Sequence, residues 1–370
     1  MDGDLVTLFL SGDVMLGRGV DQILPHPGDP ALSEPYIRNA RAYVELAEAV
    51  NGAIPRPVPF SWPWGDALPL LDAAAPDVRL VNLETSVTRS GDADSDKEVL
   101  YRMHPANLPC LTAARPDVCV LANNHVLDYG RLGLEETLVT LAAAGLRTAG
   151  AGRDLDSARR YASVPVAGGG RVLVVSLGME SSGVPPSWAA TERHSGVHFA
   201  AEPSSAAAAD VTAELRRDER PGDVTVVSVH MGSNWGYRIP RDQVRFAHAL
   251  VDGGADIVHG HSSHHPRPVE VYRGRLVLYG CGDLINDYEG ITGYERYRDD
   301  LRLLYLASVE SGTGRFHELR ITPLQARRMR LTPASDADCR AVHQVLSRIS
   351  DGLGTRMRAE PDGSITVRPA

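Results

Sequence analysis

Short apolar runs recur along this chain, and five of them end abruptly in polar side chains able to hold a metal or move a proton. Val6-Thr7-Leu8-Phe9-Leu10 leads into Gly12-Asp13, Val78-Arg79-Leu80-Val81 into Asn82-Leu83-Glu84, and Val118-Cys119-Val120-Leu121 into Asn123-Asn124-His125-Val126-Leu127-Asp128. Val224-Thr225-Val226-Val227-Ser228-Val229 leads into His230-Met231-Gly232, and Asp256-Ile257-Val258 into Gly260-His261-Ser262-Ser263-His264-His265. Runs of this length and β-branched content predict buried strands. In α/β folds, side chains carried just past strand carboxyl ends gather outside one edge of the sheet. The five blocks are therefore expected to converge on one metal-binding, proton-transferring site.

Between these runs lie helical patterns at 36–50, 65–75, 106–114, 133–144, 201–217 and 243–253, with Gly145 closing the fourth. Further strands are expected at 171–176, 275–279, 301–309 and 316–321. The Pro- and Trp-rich segment 54–64 reads as an ordered surface loop. This alternation predicts an α/β layered sandwich with mixed β-sheets flanked by helices. One domain is expected over 1–330, with 331–370 adding a helix at 338–349 and a short tail strand packed on the same domain.

Composition narrows the function classes. At 370 residues and 43% hydrophobic the chain can bury a substantial core. A net charge of −9, with scattered and nearly all-Arg basic residues, argues against nucleic acid or an anionic membrane as partner. The N-terminus lacks a basic n-region and an h-region, so a cytoplasmic location is expected. Cys110, Cys119, Cys281 and Cys339 are widely separated without CxxC spacing, which favours free thiols.

Each block has a plain structural reading beside the chemical one. Asp13 fits a Gly-Asp turn as well as a ligand, and Glu84 alone says little. Asn124 beside His125 places a hard-cation ligand next to an acid/base, and Asp128 three residues on can orient that imidazole; a capped helix start explains the same residues. His230 alone fits a satisfied core histidine. Four imidazoles within 259–265 are harder to bury without a metal or a proton-transfer role.

Together with Pro268, Glu270 and Tyr279-Gly280-Cys281-Gly282-Asp283, these motifs resemble the CapA family, named for capsule or poly-γ-glutamate synthesis. That family is similar to the calcineurin-like metallophosphoesterases, so the resemblance implies a calcineurin-like metallophosphoesterase fold. It spans about 5–310. Carried over, Asp13 matches the first metal aspartate, Glu84 the bridging carboxylate, Asn124 and His125 the Asn-His motif, His230 the fourth-motif histidine, and His261 and His264 the last. Two departures stand out: Met15 occupies a position that is usually His, and Glu84 replaces the bridging Asp. CapA proteins also typically carry a membrane anchor, which is not apparent here.

The oxygen-rich set that remains favours a hard divalent ion, Ca2+ foremost, with Mg2+ or Mn2+ as alternatives. Two imidazole–carboxylate pairs, His125 with Asp128 and His264 or His265 with Asp13 or Asp283, would flank a bound substrate as acid and base. With Asp287-Tyr288-Glu289-Gly290, the chain resembles the CapA-like lasso-peptide epimerases of the MslH type. That resemblance implies a metal-dependent peptide epimerase inverting the C-terminal residue of a precursor peptide, which would be its partner. Arg102 and Arg267 would clamp the peptide carboxylate beside Asp283, and Trp235, Tyr237, Trp62 and Trp64 would wall it. A metal-dependent hydrolase such as a phosphoesterase, and a non-catalytic capsule-polymer protein, remain the alternatives.

Overall fold

The computed structural model of the protein describes residues 5–369. Its strands form two large mixed sheets. In the ten-stranded sheet, Leu5–Val14 runs parallel to Val78–Leu83, which is followed by Val118–Val120 and Arg147–Ala149. On its other side Leu5–Val14 pairs antiparallel with Leu301–Glu310, and Phe316–Ala326 and the tail strands continue the sheet. The seven-stranded sheet sets Arg171–Met179, Val224–His230, Ile257–His261 and Arg275–Leu278 in parallel, with antiparallel neighbours at Ala162–Pro165 and Val269–Tyr272.

The period-two alternation of the strands sorts their side chains into layers. Val6, Leu8 and Leu10 pack with Val172, Val174, Val224, Val226 and Ile257 in one core between the sheets. Phe9, Val81 and Cys119 point the other way, onto Val44 and Ala47 of the helix Arg41–Asn51, Leu71 of Ala67–Ala74, and Leu134 and Leu141 of Gly130–Ala143. Leu173, Val175, Val227, Val229 and Val258 meet Val211 and Leu215 of Ser205–Asp218, and Phe246 and Leu250 of Arg241–Asp252. The order is thus helix, sheet, sheet, helix. Burying each such Val or Leu is worth roughly 1.5–3 kcal/mol.

The expected elements are present with shifted bounds. The pattern at 106–114 resolves into a 3-10 turn Pro105–Asn107 and a single turn Pro109–Thr112, because Pro109 has no N–H to continue the ladder. The tail is a hairpin of Met357–Ala359 and Ile365–Val367 rather than one strand. Segment 54–64 is not a surface feature throughout: Ile54, Val58 and Trp64 are buried, with Trp64 Nε1 donating to Cys110 O at 2.8 Å. The helix Asp336–Ser350 begins at Ser335, whose Oγ accepts from Asp338 N–H, and drives Val342 and Leu346 into the core between the sheets. Cys110, Cys119 and Cys281 are buried free thiols, and Cys339 is a half-buried one. Among the described residues no helix is long and apolar enough to cross a membrane.

Candidate metal centre

The parallel strands of both sheets end at one place, and the polar blocks meet there. Asp13 and Asp283 lie opposite each other where Leu5–Val14 pairs with Asp283–Ile285. This closeness requires Gly12, because a Cβ there would fall 1.7 Å from Gly282 O. Asp13 Oδ1 accepts from Asn82 Nδ2 at 2.8 Å, and the same amide donates to Glu84 Oε2 at 3.2 Å. Asn123 Nδ2 in turn donates to Asn82 Oδ1 at 3.1 Å, so a ladder of two carboxamides aims both carboxylates inward. Asp13 Oδ2 is buried without a hydrogen-bond partner among the described residues.

The imidazoles are oriented by a relay that starts at the backbone. His259 Nε2–H donates to Ser11 O at 2.7 Å, which leaves Nδ1 to accept from Ser228 Oγ at 3.1 Å. Ser228 Oγ then accepts from His261 Nε2–H at 2.9 Å, so the lone pair of His261 Nδ1 is left facing His230 Nδ1 at 2.7 Å. On its far nitrogen His230 meets Asn124 Oδ1 at 2.9 Å. Ligand atoms of Asp13, His230 and His261 lie within 4.8 Å of one another, and so do those of Asp13, His264 and Asp283. Asp13 belongs to both groups.

These residues fit a divalent cation. Burial, and then the charge of Asp283, push Asp13 up to about 7; burial, and then Asp13 and Asp283, hold Glu84 well above the carboxylate range. Burial first, and neighbouring imidazoles second, keep His230 and His261 well below the ordinary histidine value. Carboxylates crowded until they hold protons, beside neutral imidazoles, are groups whose charge and lone pairs a cation satisfies. Met15 is fully buried, and its side chain supplies no nitrogen donor at the position expected to hold His.

Two imidazole–carboxylate pairs flank the group. His125 Nδ1 meets Asp128 Oδ2 at 2.7 Å, and Nε2 faces Glu84 Oε1 at 3.8 Å. Burial draws His125 down to about 4 although Asp128 opposes it. Asp128 is held by Tyr101 N–H at 2.6 Å and by Lys97 Nζ at 3.2 Å, and the Tyr101 ring meets His125 edge-on. On the other side His264 Nδ1 meets Asp283 Oδ1 at 2.9 Å. Burial opposes charge on His264, but Asp283 outweighs it and the pKa is raised.

Several expected site residues are used differently. His265 donates through Nδ1 to Pro266 O at 3.0 Å and accepts at Nε2 from Gly236 N–H at 2.9 Å. With both nitrogens committed to backbone it holds a loop and has none left for proton transfer. The Arg102 guanidinium donates to Ser90 O at 2.7 Å and Asp29 O at 2.9 Å over the Tyr129 ring, tying loops together instead of clamping a carboxylate. Arg267 is buried, donates to Ser233 O at 2.6 Å, and is drawn down to about 10 by burial. Trp235 stacks on Tyr294 at 4.0 Å and stands 5.4 Å from the His264 ring. Trp62 and Trp64 lie with the helical layer.

Sequence reasoning missed Lys97, and it gave Asn82, Asn123 and His259, which stand inside the polar blocks, no role of their own. Lys97 carried a signal, being the single lysine of the chain. Asn82, Asn123 and His259 support partners that are remote in sequence, Asp13, Asn82 and Ser11, and a local pattern does not show those pairings.

Residues 7–288 match the family model described as bacterial capsule synthesis protein PGA_cap. The chain is 54% identical over 368 residues to a probable polyglutamine synthesis accessory protein of Mycobacterium tuberculosis, covering 99% of this chain and 97% of that one. It is 27% identical to the PGA biosynthesis protein CapA of Bacillus subtilis, over 87% of this chain and 72% of that one. The capsule biosynthesis protein CapA of Bacillus anthracis is 25% identical, over 82% and 64%. The chain belongs to this bacterial capsule synthesis family. These relatives overturn the expectation of a lasso-peptide epimerase: matched over 82–99% of the chain, they are named for polymer and capsule synthesis.

Proposed function

We propose that this member of the capsule synthesis family serves the synthesis of a glutamyl polymer through a metal-dependent centre at the shared strand edge. The observation that carries the reading is the pair of ligand groups joined at Asp13. The layer order agrees with a fold of the calcineurin-like metallophosphoesterase type, in which this edge is the site.

Asp13, His230 and His261 would hold a divalent ion, with Glu84 and Asn124 beside them. Two imidazoles in one group favour manganese or zinc over calcium. Bound there, the ion would act as a Lewis acid toward a carbonyl or phosphoryl oxygen. His125 offers Nε2 with Asp128 on the opposite nitrogen, the arrangement of a base that accepts a proton from an attacking nucleophile. His264, held by Asp283, is placed to return a proton to a leaving group. We read the chemistry as cleavage or transfer at an amide or phosphoester bond of the polymer or its activated precursor.

The test is complementation. A host strain lacking the gene receives the parent or Asp13→Asn, and its glutamyl polymer is quantified by acid hydrolysis and amino-acid analysis. The parent restores polymer and the soluble, folded variant does not. Polymer made normally without the gene removes the role, and full restoration by Asp13→Asn removes the metal centre from it.

A further inference from the structure

Behind the His264–Asp283 pair lies a separate cavity of about 460 Å3, walled in part by Asn286, Tyr288, Asp299, Arg302, Gln325 and Arg327. Its size lies within the range of small-molecule sites, roughly 300–1,000 Å3. It adjoins the centre directly: Asn286 Nδ2 donates to Asp283 Oδ2 at 2.6 Å, and the Tyr288 ring meets the His264 ring edge-on at 5.1 Å.

Most charges around this cavity are already matched. Asp300 takes Arg298 Nε and Nη2 at 2.8 and 2.9 Å and Gln325 Nε2 at 2.8 Å. Glu289 accepts from Arg328 N–H at 2.6 Å and Met329 N–H at 2.8 Å. Glu295 accepts from Gly293 N–H at 3.0 Å.

Arg302 is different. It is 2% exposed, and its Nη2 donates to Asn286 Oδ1 at 2.7 Å. Nε and Nη1 have no hydrogen-bond partner among the described residues, and Nη1 stands 3.9 Å from Asp283 Oδ2, beyond hydrogen-bonding reach. Asp283 and Asp299 offset part of this charge through space, but a buried guanidinium with five donors and few acceptors still carries a desolvation cost that an anion in the cavity would lower. Glu295, Asp299 and Asp300 also line the cavity, and their carboxylates disfavour a dianion such as phosphate more than a single carboxylate. The carboxamides of Asn286 and Gln325 suit an amide-bearing ligand.

We propose that this cavity is a subsite for a carboxylate of a glutamyl unit, with Arg302 as the anchoring cation and Arg327 at the rim. The assignment deepens the polymer reading above and rests on it for the ligand class. It would place one carboxylate of the chain three hydrogen bonds from Asp283, through Arg302 and Asn286, on the His264 side of the centre.

The experiment is calorimetric titration of the protein as purified with γ-glutamylglutamate, and with inorganic phosphate as the competing anion. The dipeptide binds saturably. Arg302→Gln weakens it by about tenfold or more, as expected for a lost charge-assisted contact, while Arg302→Lys falls between. The exposed Arg327→Glu, which cannot disturb the core, weakens it several-fold with metal content unchanged. Parental affinity in both Arg302→Gln and Arg327→Glu, or phosphate binding tighter than the dipeptide, overturns the subsite. If the dipeptide does not bind while polymer synthesis still depends on the gene, the subsite falls and the polymer role stands. If it binds through Arg302 while polymer synthesis is independent of the gene, the subsite stands and the polymer role falls.

Discussion

Asp13 and Asp283 face each other in parallel register at the end of the same strand pair, two buried carboxylates contributed by segments remote in sequence. Asp283 is neutralised by His264 and braced by Asn286, and its pKa is lowered in spite of burial. Asp13 forms no ion pair among the described residues and is pushed up to about 7, by burial first and then by the charge of Asp283, which outweigh His264. One strand edge therefore holds a paired carboxylate and an unpaired one, and the unpaired one is shared by both ligand groups.

Asp13→Asn separates metal affinity from folding. Without metal, the variant loses a buried like-charge conflict and gains about 1–3 kcal/mol at neutral pH. The parent gains about 2.7 kcal/mol when a divalent ion is present at a hundred times its dissociation constant, and the variant gains little. Thermal melts with and without added manganese, beside elemental analysis, read both effects; an equal metal-induced shift in the two proteins would exclude Asp13 as a ligand.

Gly12→Ala is expected to cost about 3 kcal/mol or more, since its Cβ would meet the Gly282 carbonyl at 1.7 Å. Both neighbours are backbone-paired in the sheet and have little room to yield. Urea denaturation measures the loss, and a cost below 1 kcal/mol would mean that the two strand ends are not packed this closely.

His198 gives a pH dependence away from the metal centre. Burial, with Arg159 second, holds it down to about 4, and its Nδ1–H donates to Ser176 O at 3.0 Å. The unfolded chain takes up this proton below about 6.5 while the folded chain does not. Stability is full above 6.5 and falls as pH drops toward 4, by about 3 kcal/mol at the lower end. His198→Gln should flatten that segment of the stability profile, and a variant with the parental slope would show that other groups carry it.

Lys97 offers a selective probe. It is half-buried, donates to Asn124 O, and pairs with Asp128 at 3.2 Å. Reductive methylation followed by intact-mass spectrometry sees one side chain beside the N-terminus. Asp128→Asn should accelerate that modification a few-fold by freeing the ammonium, and an unchanged rate would place Lys97 elsewhere in solution.

Leu346→Ala tests whether the C-terminal helix belongs to the main core. The side chain is fully buried between the sheets, and its truncation should cost about 2–5 kcal/mol in one cooperative transition. A separate early transition would instead mark the helix as an independent unit.

The strands and their terminal blocks were legible in the sequence because both signals are local. An apolar run ending in Asp13, Glu84, Asn124 or His230 announces a buried strand and what it delivers, whatever the rest of the chain does. Convergence of those ends followed from strand–helix alternation alone. The resemblance to the capsule family rested on the same blocks, whereas the epimerase reading leaned on short segments such as 287–290, and relatives matched over 87–99% of the chain did not uphold it.

What tertiary structure decided is how each side chain is used. His264 and His265 are adjacent and chemically identical in sequence, yet one faces Asp283 and the other is bound on both nitrogens by backbone. Arg102 was expected to clamp a carboxylate, and nothing in the sequence singled out Arg302. The first is spent on Ser90 and Asp29 carbonyls, and the second is buried beside a cavity with Nε and Nη1 unpaired among the described residues. The sequence by itself determined which residues arrive at the strand edge, because arrival depends on hydrophobic period and turn chemistry over a few residues. Hydrogen-bond partners, tautomers and displaced protonation depend on groups from distant segments and on the exclusion of water, and these exist only once both sheets have closed around them.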